Sequence, residues 1–425
     1  MSTSLSSWLE VLEGRHFKTI DLGLERCAVV WRALGEPRPG ARIITVAGTN
    51  GKGSVVAYLA AILGSAGHHC GTYTSPHILR FNERVQLRGK AVSDAALIAA
   101  FEQVEAARGE VSLTYFEFTT LAAFVLMREH GLDWAILEVG LGGRLDAVNL
   151  VDPDCAVITP IGLDHQEYLG PDRATIAAEK AGIMRAGVPV VCGDRDPPPV
   201  IESMAASLAA PLYRIGVDFD RVQIAGKAHL QAPHGLWPFP DPPLSGPHQR
   251  DNLATALAAV DVSAPGVLEN TRAWTQALNK VRVPGRLSGD ARDERLILDV
   301  GHNPLAAEVV AEALAERGDT PVHCVLGMLR DKDVGGVARA LAGQVGHWYL
   351  AGLDGERGQT GAQLQDRLRA ALPGADAAHF PAVSAALAAA RRTARAGDRI
   401  LVFGSFATVA AAMRSLSGEG PGPAH

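Results

Sequence analysis

The chain has 425 residues, of which 47% are hydrophobic and 20% charged, and its formal net charge is −6. This length predicts two or three domains, and the acidic balance without a long basic run excludes a protein built mainly to bind nucleic acid. No apolar run reaches the roughly 18 residues of a membrane-spanning helix, and the N-terminus lacks a signal-peptide core, so we expect a cytoplasmic protein that does not bind membranes.

The first predicted elements are a helix over Ser6–Glu13 and a second helix that ends near Leu34. Between them lies the segment Asp21-Leu22-Gly23-Leu24, followed by Arg26. Asp21 has two interpretations that the residues leave open, either as the N-cap of the second helix or as part of a substrate site.

A strand, a glycine-rich turn and a helix follow over residues 43–63. The glycines let backbone N–H groups and the helix N-terminus point at one anion, while Lys52 adds a positive charge and Ser54 a hydroxyl for a magnesium ion. The spacing departs from the usual G-x-x-x-x-G-K-[ST] pattern because Gly53 separates the lysine from the serine. A bland turn explains the glycines but not Lys52 and Ser54, so the pattern favours a nucleotide-phosphate site. The residues of this site are Gly48, Thr49, Asn50, Gly51, Lys52, Gly53 and Ser54.

Polar residues then recur where predicted strands end. Ser75 lies in a Pro-stiffened turn, Glu138 closes an apolar strand, His165 follows the strand Cys155–Thr159, and Lys180 lies on the next helix. Chemistry in open α/β sheets lies beyond the carboxyl ends of the strands, and Mg²⁺ takes oxygen ligands, so this group together with Ser54 predicts a magnesium site. For Lys180 alone, a surface lysine paired with Glu179 or with phosphate is the alternative.

The segment Thr114-Tyr115-Phe116-Glu117 precedes a helix that runs to about His130. Its rings are either core residues or contacts of a flat ligand, and both interpretations stay open. The five cysteines are far apart and form no C-x-x-C pair, which predicts free buried thiols in a reducing compartment. They are Cys27, Cys70, Cys155, Cys192 and Cys324.

The proline-rich stretch 195–246 predicts edge strands and loops, and helices resume over residues 249–257 and 272–279. Val283–Arg286 is the predicted boundary between domains 1–284 and 285–425. Beyond it, strands and helices alternate, which predicts a second, smaller doubly wound parallel sheet. Asp299, His302 and Asn303 follow its first strand, where they suit a ribose, an adenine edge or an amino acid.

Several of these motifs, in this order along the chain, resemble the Mur ligase superfamily and its dihydrofolate synthase/folylpolyglutamate synthase branch. The motifs are Gly-Thr-Asn-Gly-Lys-Gly-Ser at 48–54, Ser-Pro-His at 75–77, Thr-Tyr-Phe-Glu at 114–117, Glu-Lys-Ala-Gly at 179–182, Asp-x-x-His-Asn-Pro at 299–304, Asp331-Lys332-Asp333 and Phe403-Gly404-Ser405-Phe406. The resemblance implies an α/β fold, with an N-terminal P-loop domain around a doubly wound, mostly parallel sheet and a smaller Rossmann-like C-terminal domain.

The resemblance also implies residue roles. It makes Lys52, His165 and Lys180 catalytic, adds Asn252, Arg286, Asp299 and His302 to the ATP site, and has Lys180 carbamylated by CO2. Metal ligands would be Ser54, Ser75, Glu138, His165 and the modified Lys180. The pteroate would contact Asp21, Leu22, Gly23, Thr114, Tyr115, Phe116, Glu117 and Leu145.

The implied reaction is the ATP-dependent addition of L-glutamate to dihydropteroate and to reduced folates through an acyl phosphate. Mg²⁺ at two sites and a monovalent cation are implied, and the chain is expected to be a monomer. Two alternatives stay open: a folylpolyglutamate synthase without the dihydropteroate activity, and a non-catalytic nucleotide-dependent switch. A peptidoglycan ligase is not expected, because too little chain precedes the first strand for its precursor-binding domain.

Overall fold

The structure is a computed structural model that describes residues 4–418 apart from 17, 19 and 319. The chain divides into two compact units. Unit 1 comprises residues 1–243 and 250–281, and unit 2 comprises residues 244–249 and 282–425. The boundary at 284 and 285 stays a prediction. None of the helices in the described part of the chain is long and apolar enough to cross a lipid bilayer.

Unit 1 is built on an eight-stranded sheet in the order β4-β3-β2-β5-β1-β6-β7-β8. The strands are β1 (Arg42–Ala47), β2 (Cys70–Tyr73), β3 (Val85–Leu87), β4 (Lys90–Ala91), β5 (Trp134–Glu138), β6 (Cys155–Ile158), β7 (Val190–Cys192) and β8 (Leu212–Arg214). Six neighbouring strands run parallel, while β3 and β4 add an antiparallel edge. The predicted mostly parallel sheet is confirmed, and its central strands are buried apolar runs because helices cover such sheets on both faces.

The helices of unit 1 precede, connect or follow these strands. They are α1 (Leu5–Glu13), α2 (Glu25–Ala33), α3 (Lys52–Ser65), α4 (Asp94–Arg108), α5 (Tyr115–Glu129), α6 (Gln166–Leu169), α7 (Arg173–Ala181), α8 (Val200–Ser207), α9 (Gln249–Ser263) and α10 (Thr271–Leu278). Short 3-10 turns span Phe81–Arg84, Ala147–Leu150 and Val267–Glu269. α5 is buried along most of its length, since apolar residues surround its axis.

The proline-rich stretch contains the edge strands that the sequence predicts. β8 is the edge of the eight-stranded sheet, and β9 (Asp220–Ile224), β10 (Lys227–Ala232) and β11 (Gly235–Pro238) form a separate antiparallel sheet. The helix α8 was not predicted. Pro199 is its N-cap, a position at which a helix needs no donor from its own backbone, so a proline begins a helix here.

Unit 2 has a six-stranded sheet in the order β12-β13-β17-β14-β15-β16. Its strands are β12 (Ser288–Asp290), β13 (Asp293–Leu298), β14 (Val322–Leu326), β15 (Val345–Ala351), β16 (Ala377–Phe380) and β17 (Arg399–Phe403). Its helices are α11 (Pro304–Ala315), α12 (Val334–Leu341), α13 (Gly361–Ala371), α14 (Val383–Thr393) and α15 (Phe406–Ser417). The second α/β unit is confirmed. The strands β12 and β16 were not predicted, because both are short and lack an apolar run. β12 is antiparallel to β13, and β16 is parallel to β15.

The prediction of free, buried cysteines is confirmed. Burial raises the pKa of Cys70 and of Cys155 to about 12, so these thiols stay protonated and unreactive at neutral pH.

Candidate active site

The phosphate loop joins the end of β1 to the first turn of α3. Gly48 and Gly51 adopt φ angles of 148° and 93°, a region that side chains disfavour. A Cβ built on Gly51 would lie 2.6 Å from Oδ1 of Asn252, so the loop backbone passes directly against that buried amide. Asn252 lies in the first turns of α9, and both the helix-start interpretation and a place beside the loop hold for it.

Two lysines converge on one carbonyl of this loop. Nζ of Lys52 donates to the carbonyl oxygens of Gly48 and Thr49, each at 3.1 Å, and Nζ of Lys180 donates to that of Gly48 at 2.8 Å. Burial, reinforced by the charge of Lys52, lowers the pKa of Lys180 to about 7. The arrangement concentrates positive charge where the loop amides and the start of α3 already favour an anion.

Lys180 is therefore not the surface lysine of the alternative interpretation. Its side chain is buried, and Glu179 pairs instead with Arg144 at 2.8 Å. Gly143 allows this packing, because a Cβ there would lie 2.7 Å from the carbonyl oxygen of Glu179. The Gly-Gly turn after β5 thus lies directly on the helix that carries Lys180.

The phosphate loop is also tied to the loop after β6. Oγ1 of Thr49 donates to the carbonyl oxygen of Gly162 at 3.1 Å and accepts from its N–H at 3.0 Å. The buried carboxylate of Asp194 accepts from the N–H of Ile161 at 2.9 Å. His165 follows in this loop, half-buried and with a φ of 51°. The hydroxyl of Thr49 therefore fixes the nucleotide loop against the loop that carries a predicted metal ligand.

The predicted metal ligands come from neighbouring strand ends. Glu138 is the last residue of β5 and pairs in register with Val46 of β1, and it is buried. Ser75 follows β2, the other neighbour of β5, while Ser54 is buried in the first turn of α3. Because β2, β5, β1 and β6 are adjacent and parallel, their carboxyl ends place Ser75, Glu138, the phosphate loop and the His165 loop along one edge.

Sequence reasoning missed Asp146, which is buried after the Gly-Gly turn. Its carboxylate accepts from the N–H groups of Leu141 at 2.8 Å and Val148 at 2.9 Å. Burial raises the pKa of Asp146 to about 6 despite these hydrogen bonds and the charge of Lys52. The sequence did contain a signal for this residue, a carboxylate eight positions after Glu138 in a Gly-rich turn. In the structure, Asp146 is the N-cap of the 3-10 turn that follows, which explains its position.

The predicted pteroate-contacting residues lie at the start of α5 and before α2. Thr114 and Glu117 form a capping box on α5, so both are partly explained by helix capping. Tyr115 and Phe116 are half-buried, which is compatible with both core packing and a ligand contact. The ring of Phe116 lies against Gly140, where a Cβ would approach it to 2.5 Å. Leu145 is half-buried in the turn that follows.

Arg26 connects these two segments. Its NH1 pairs with the carboxylate of Asp21 at 2.8 Å, and its NH2 donates to the carbonyl oxygen of Asp21 at 2.8 Å and to Oε1 of Glu117 at 2.9 Å. The suggestion that Asp21 caps α2 was wrong, because the N-cap is Leu24 and no side chain bonds there. Leu22 is half-buried and Gly23 is buried, so the segment is packed against the rest of unit 1.

In unit 2, the predicted residues surround the end of β13. The buried carboxylate of Asp299 accepts from the N–H groups of Leu287 at 2.9 Å and Gly301 at 2.8 Å, and burial raises its pKa. Nδ1 of His302 donates to the carbonyl oxygen of Val300 at 3.0 Å. The guanidinium of Arg286 lies over the ring of Phe406, 5.4 Å from its centroid. Asp299 thus shapes the backbone at this strand end.

A phosphate loop with a second lysine, a buried carboxylate among the polar residues at neighbouring strand ends, and a separate Rossmann-like unit are typical of the class of ATP-dependent acid–amine ligases. Residues 46–197 match the Mur ligase middle domain, and residues 286–406 match the Mur ligase glutamate ligase domain. The chain therefore contains a region that matches each of these two Mur ligase domains.

Relatives that match along nearly their whole length indicate the branch of the Mur ligases to which the chain belongs. The chain is 43% identical to the dihydrofolate synthase/folylpolyglutamate synthase of Escherichia coli over 99% of this chain and 97% of the relative. It is 39% identical to the Haemophilus influenzae protein of that name over 96% and 97%. The chain belongs to the dihydrofolate synthase/folylpolyglutamate synthase family. The resemblance and the predicted enzyme class, an ATP-dependent amide ligase, are confirmed.

Solved structures agree with this assignment. E. coli FolC in complex with DHPP and ADP superposes with a TM-score of 0.91 at 42% identity, covering 98% of each chain. A bifunctional folylpolyglutamate synthase/dihydrofolate synthase with Mn, AMPPNP and L-glutamate bound gives a TM-score of 0.88 at 42% identity, again over 98% of each chain. The predicted fold is thereby confirmed along nearly the whole chain.

Proposed function

We propose that the protein adds L-glutamate to dihydropteroate, giving dihydrofolate, and to the γ-carboxylate of tetrahydrofolates, giving polyglutamates. The observation that carries the proposal is the convergence of Lys52 and Lys180 on the Gly48 carbonyl, beside the strand end that bears Glu138. This arrangement supports phosphoryl transfer to a carboxylate. The relatives that match along nearly the whole chain are named dihydrofolate synthase/folylpolyglutamate synthase, a name that includes both activities.

The residues suit the chemistry. A carboxylate is a poor electrophile, so one of its oxygens attacks the γ-phosphorus of ATP, and ADP leaves with the electron pair of the broken P–O bond. The glutamate amine then attacks the acyl carbon, loses a proton, and expels inorganic phosphate. Lys52 and the loop N–H groups would stabilise the charge on the transferred group, since phosphoryl transfer depends on positioning and neutralisation.

Ser54, Ser75, Glu138, His165 and modified Lys180 would hold Mg²⁺. The donor set fits, because oxygen donors predominate and Glu138 is a buried carboxylate next to the phosphate loop. When bound, the ion would neutralise phosphate charge and orient the γ-phosphoryl group. A manganese ion in the related structure supports a divalent site. Two such sites and a monovalent cation stay predictions.

We assign a carbamate to Lys180. Its burial beside Lys52 lowers its pKa to about 7, so a neutral amine is available at physiological pH to attack CO2, with release of one proton. The resulting carbamate is a carboxylate-like oxygen donor that can bind Mg²⁺, whereas the ammonium form of Lys180 could not. Incorporation of isotopically labelled bicarbonate, detected by NMR and absent in Lys180→Met, tests this assignment.

The remaining assignments follow the resemblance. Arg26 supports a pteroate site at Asp21–Gly23 and Thr114–Glu117, with Leu145 nearby in sequence to the Gly-Gly turn. Asn252, which lies against Gly51, is assigned to ATP. Contacts of Arg286, Asp299 and His302 with the nucleotide stay predictions, as do the monomeric state and the cytoplasmic location.

The deciding experiment is a substrate panel with ATP, magnesium and labelled glutamate. Incorporation of label into both dihydropteroate and tetrahydrofolate, with one phosphate released per amide formed, is expected. Incorporation into tetrahydrofolate alone would leave only folylpolyglutamate synthase activity. A nucleotide-dependent switch would show no release of phosphate beyond slow basal hydrolysis.

A further inference from the structure

Arg84 is a buried cation in unit 1 whose surroundings are aromatic. It ends the 3-10 turn before β3, and only 8% of its surface is exposed. Its guanidinium carbon lies 5.2 Å from the ring centroid of Phe81 and 5.4 Å from that of Tyr115. Its Nε donates to Nδ1 of His77 at 2.9 Å. Two rings and an imidazole therefore fix the plane of the guanidinium.

In the part of the chain that the structure describes, no acidic side chain forms an ion pair with Arg84. Arg26 on α2 is more exposed and yet pairs with both Asp21 and Glu117. Burying a cation without a counter-ion is costly, and stacking on two rings offsets only part of that cost. The arrangement points to an anion that a ligand supplies.

The position of Arg84 indicates which ligand. Its carbonyl oxygen accepts from the N–H of Thr74 at 2.9 Å, so it lies beside the turn that carries Ser75. Its guanidinium lies over the ring of Tyr115, the first residue of α5 and one of the predicted pteroate contacts. Arg84 thus contacts both the turn that carries a residue assigned to the metal and a ring assigned to the acceptor substrate. The anionic group of that substrate is a carboxylate.

We propose that Arg84 binds a carboxylate of the acceptor substrate and thereby selects acceptors that carry one. The inference rests on the proposed function and deepens it. The rigid guanidinium suits two-pronged recognition of a carboxylate, and His77 fixes its orientation by accepting from Nε. The carboxylate has two possible sources: the one that reacts, present in every acceptor, or the α-carboxylate, present only in folates.

The test compares binding of pteroate with binding of its neutral carboxamide. Wild-type protein is expected to prefer the carboxylate by about 10- to 100-fold, the range of a charge-assisted pair, and Arg84→Met to reduce this ratio towards one. Arg84→Lys should retain part of it. The ratio is internal to each variant, so a general loss of folded protein does not imitate the effect. Should Arg84→Met fail to fold, Arg84→Gln provides the same comparison.

Steady-state kinetics distinguish the two sources. If Arg84 binds the reacting carboxylate, its substitution raises KM for dihydropteroate and for tetrahydrofolate. If it binds the α-carboxylate, only KM for tetrahydrofolate rises and the pteroate ratio is unchanged. The matched control is Arg80→Met, since Arg80 has a 71% exposed side chain and pairs with Asp94. An Arg84→Met variant with an unchanged binding ratio and an unchanged KM for tetrahydrofolate would overturn the inference. Wild-type protein that binds no pteroate would instead refute the proposed function.

Discussion

The ammonium group of Lys180 donates a hydrogen bond to the carbonyl oxygen of Gly48, 132 positions earlier in the chain, at 2.8 Å. This contact brings α7 against the phosphate loop after β1. Because Lys52 donates to the same oxygen, its positive charge disfavours the protonated form of Lys180, and an anionic ligand or a modification of Lys180 would relieve this repulsion. The protonation of Lys180 therefore affects both the folding stability of the protein and the charge of the phosphate site.

The first prediction concerns the pH dependence of folding. Lys180 has a pKa of about 7 in the folded protein, against 10.5 for an ordinary lysine. Between these pH values the unfolded chain binds more protons, so the penalty of burying Lys180 is full below pH 7 and falls as the pH rises. Over the whole window this contribution is on the order of 5 kcal/mol. Denaturant unfolding in CO2-free buffer should show it.

The comparison is with Lys180→Met, which lacks the titrating group. The free energy of unfolding of the wild type, minus that of the variant, should increase with pH from 7 upwards by about 1.4 kcal/mol per pH unit. Parallel pH profiles for the two proteins would show that Lys180 titrates normally and is not buried as described.

The second prediction separates backbone strain from crowding at the phosphate loop. Gly51 and Gly67 lie before and after α3 with φ angles of 93° and 88°, but only at Gly51 would a Cβ collide, 2.6 Å from Asn252. Gly51→Ala and Gly67→Ala should each lose about 1–2 kcal/mol of stability. ATP affinity, measured by calorimetry, should fall at least about tenfold in Gly51→Ala only. Equal ATP affinities in the two variants would contradict the described loop geometry.

Site residues that are close together in the chain could be predicted from the sequence, whereas contacts between distant residues could not. The phosphate loop is a run of consecutive residues, so its glycines, Lys52 and Ser54 could be interpreted together. Glu138 and His165 could be proposed as ligands because Glu138 ends, and His165 follows, a strand whose apolar run is evident. In both cases the local sequence contained the relevant periodicity.

Partners far apart in sequence were not predictable in this way. Arg26 contacts Glu117 across 91 positions, and Arg84, just before β3, lies over the ring of Tyr115 at the start of α5. Neither contact has a local signature. In the fold, β16 was missed because four partly exposed residues without apolar alternation resemble a loop. Register and tertiary packing, which single-sequence patterns do not contain, determine these features.

The third prediction tests Glu138 as a metal ligand. Glu138→Gln keeps the size of the side chain but removes its charge, so kcat/KM should fall at least about 100-fold and the magnesium needed for half-maximal activity should rise. Asp133→Asn is the control, because Asp133 precedes β5 at its opposite end and accepts from the N–H of His69 at 2.7 Å. Activity should be unchanged in this variant. A magnesium titration of Glu138→Gln that matches the wild type would remove Glu138 from the metal site.

The fourth prediction concerns the tie between the phosphate loop and the His165 loop. Thr49→Val preserves shape but leaves both backbone groups of Gly162 without their partner, which should cost about 2 kcal/mol and lower kcat/KM for ATP about tenfold. Thr49→Ser retains the hydroxyl and should stay close to the wild type. If valine and serine behave alike in ATP kinetics and thermal unfolding, the hydroxyl does not position the loop.

The last prediction concerns Arg26, which bonds to both Asp21 and Glu117. Arg26→Gln cannot bridge the two carboxylates, so the Asp21 segment should detach from the start of α5. Because the phosphate loop is untouched, KM for dihydropteroate should rise about tenfold while KM for ATP stays constant. Arg32→Gln is the matched control, since Arg32 lies on the same helix and its side chain donates to the carbonyl oxygen of Ala28 and to no other group of the described residues. A rise in both KM values would indicate general loss of structure, and a rise in neither would exclude this segment from the acceptor site.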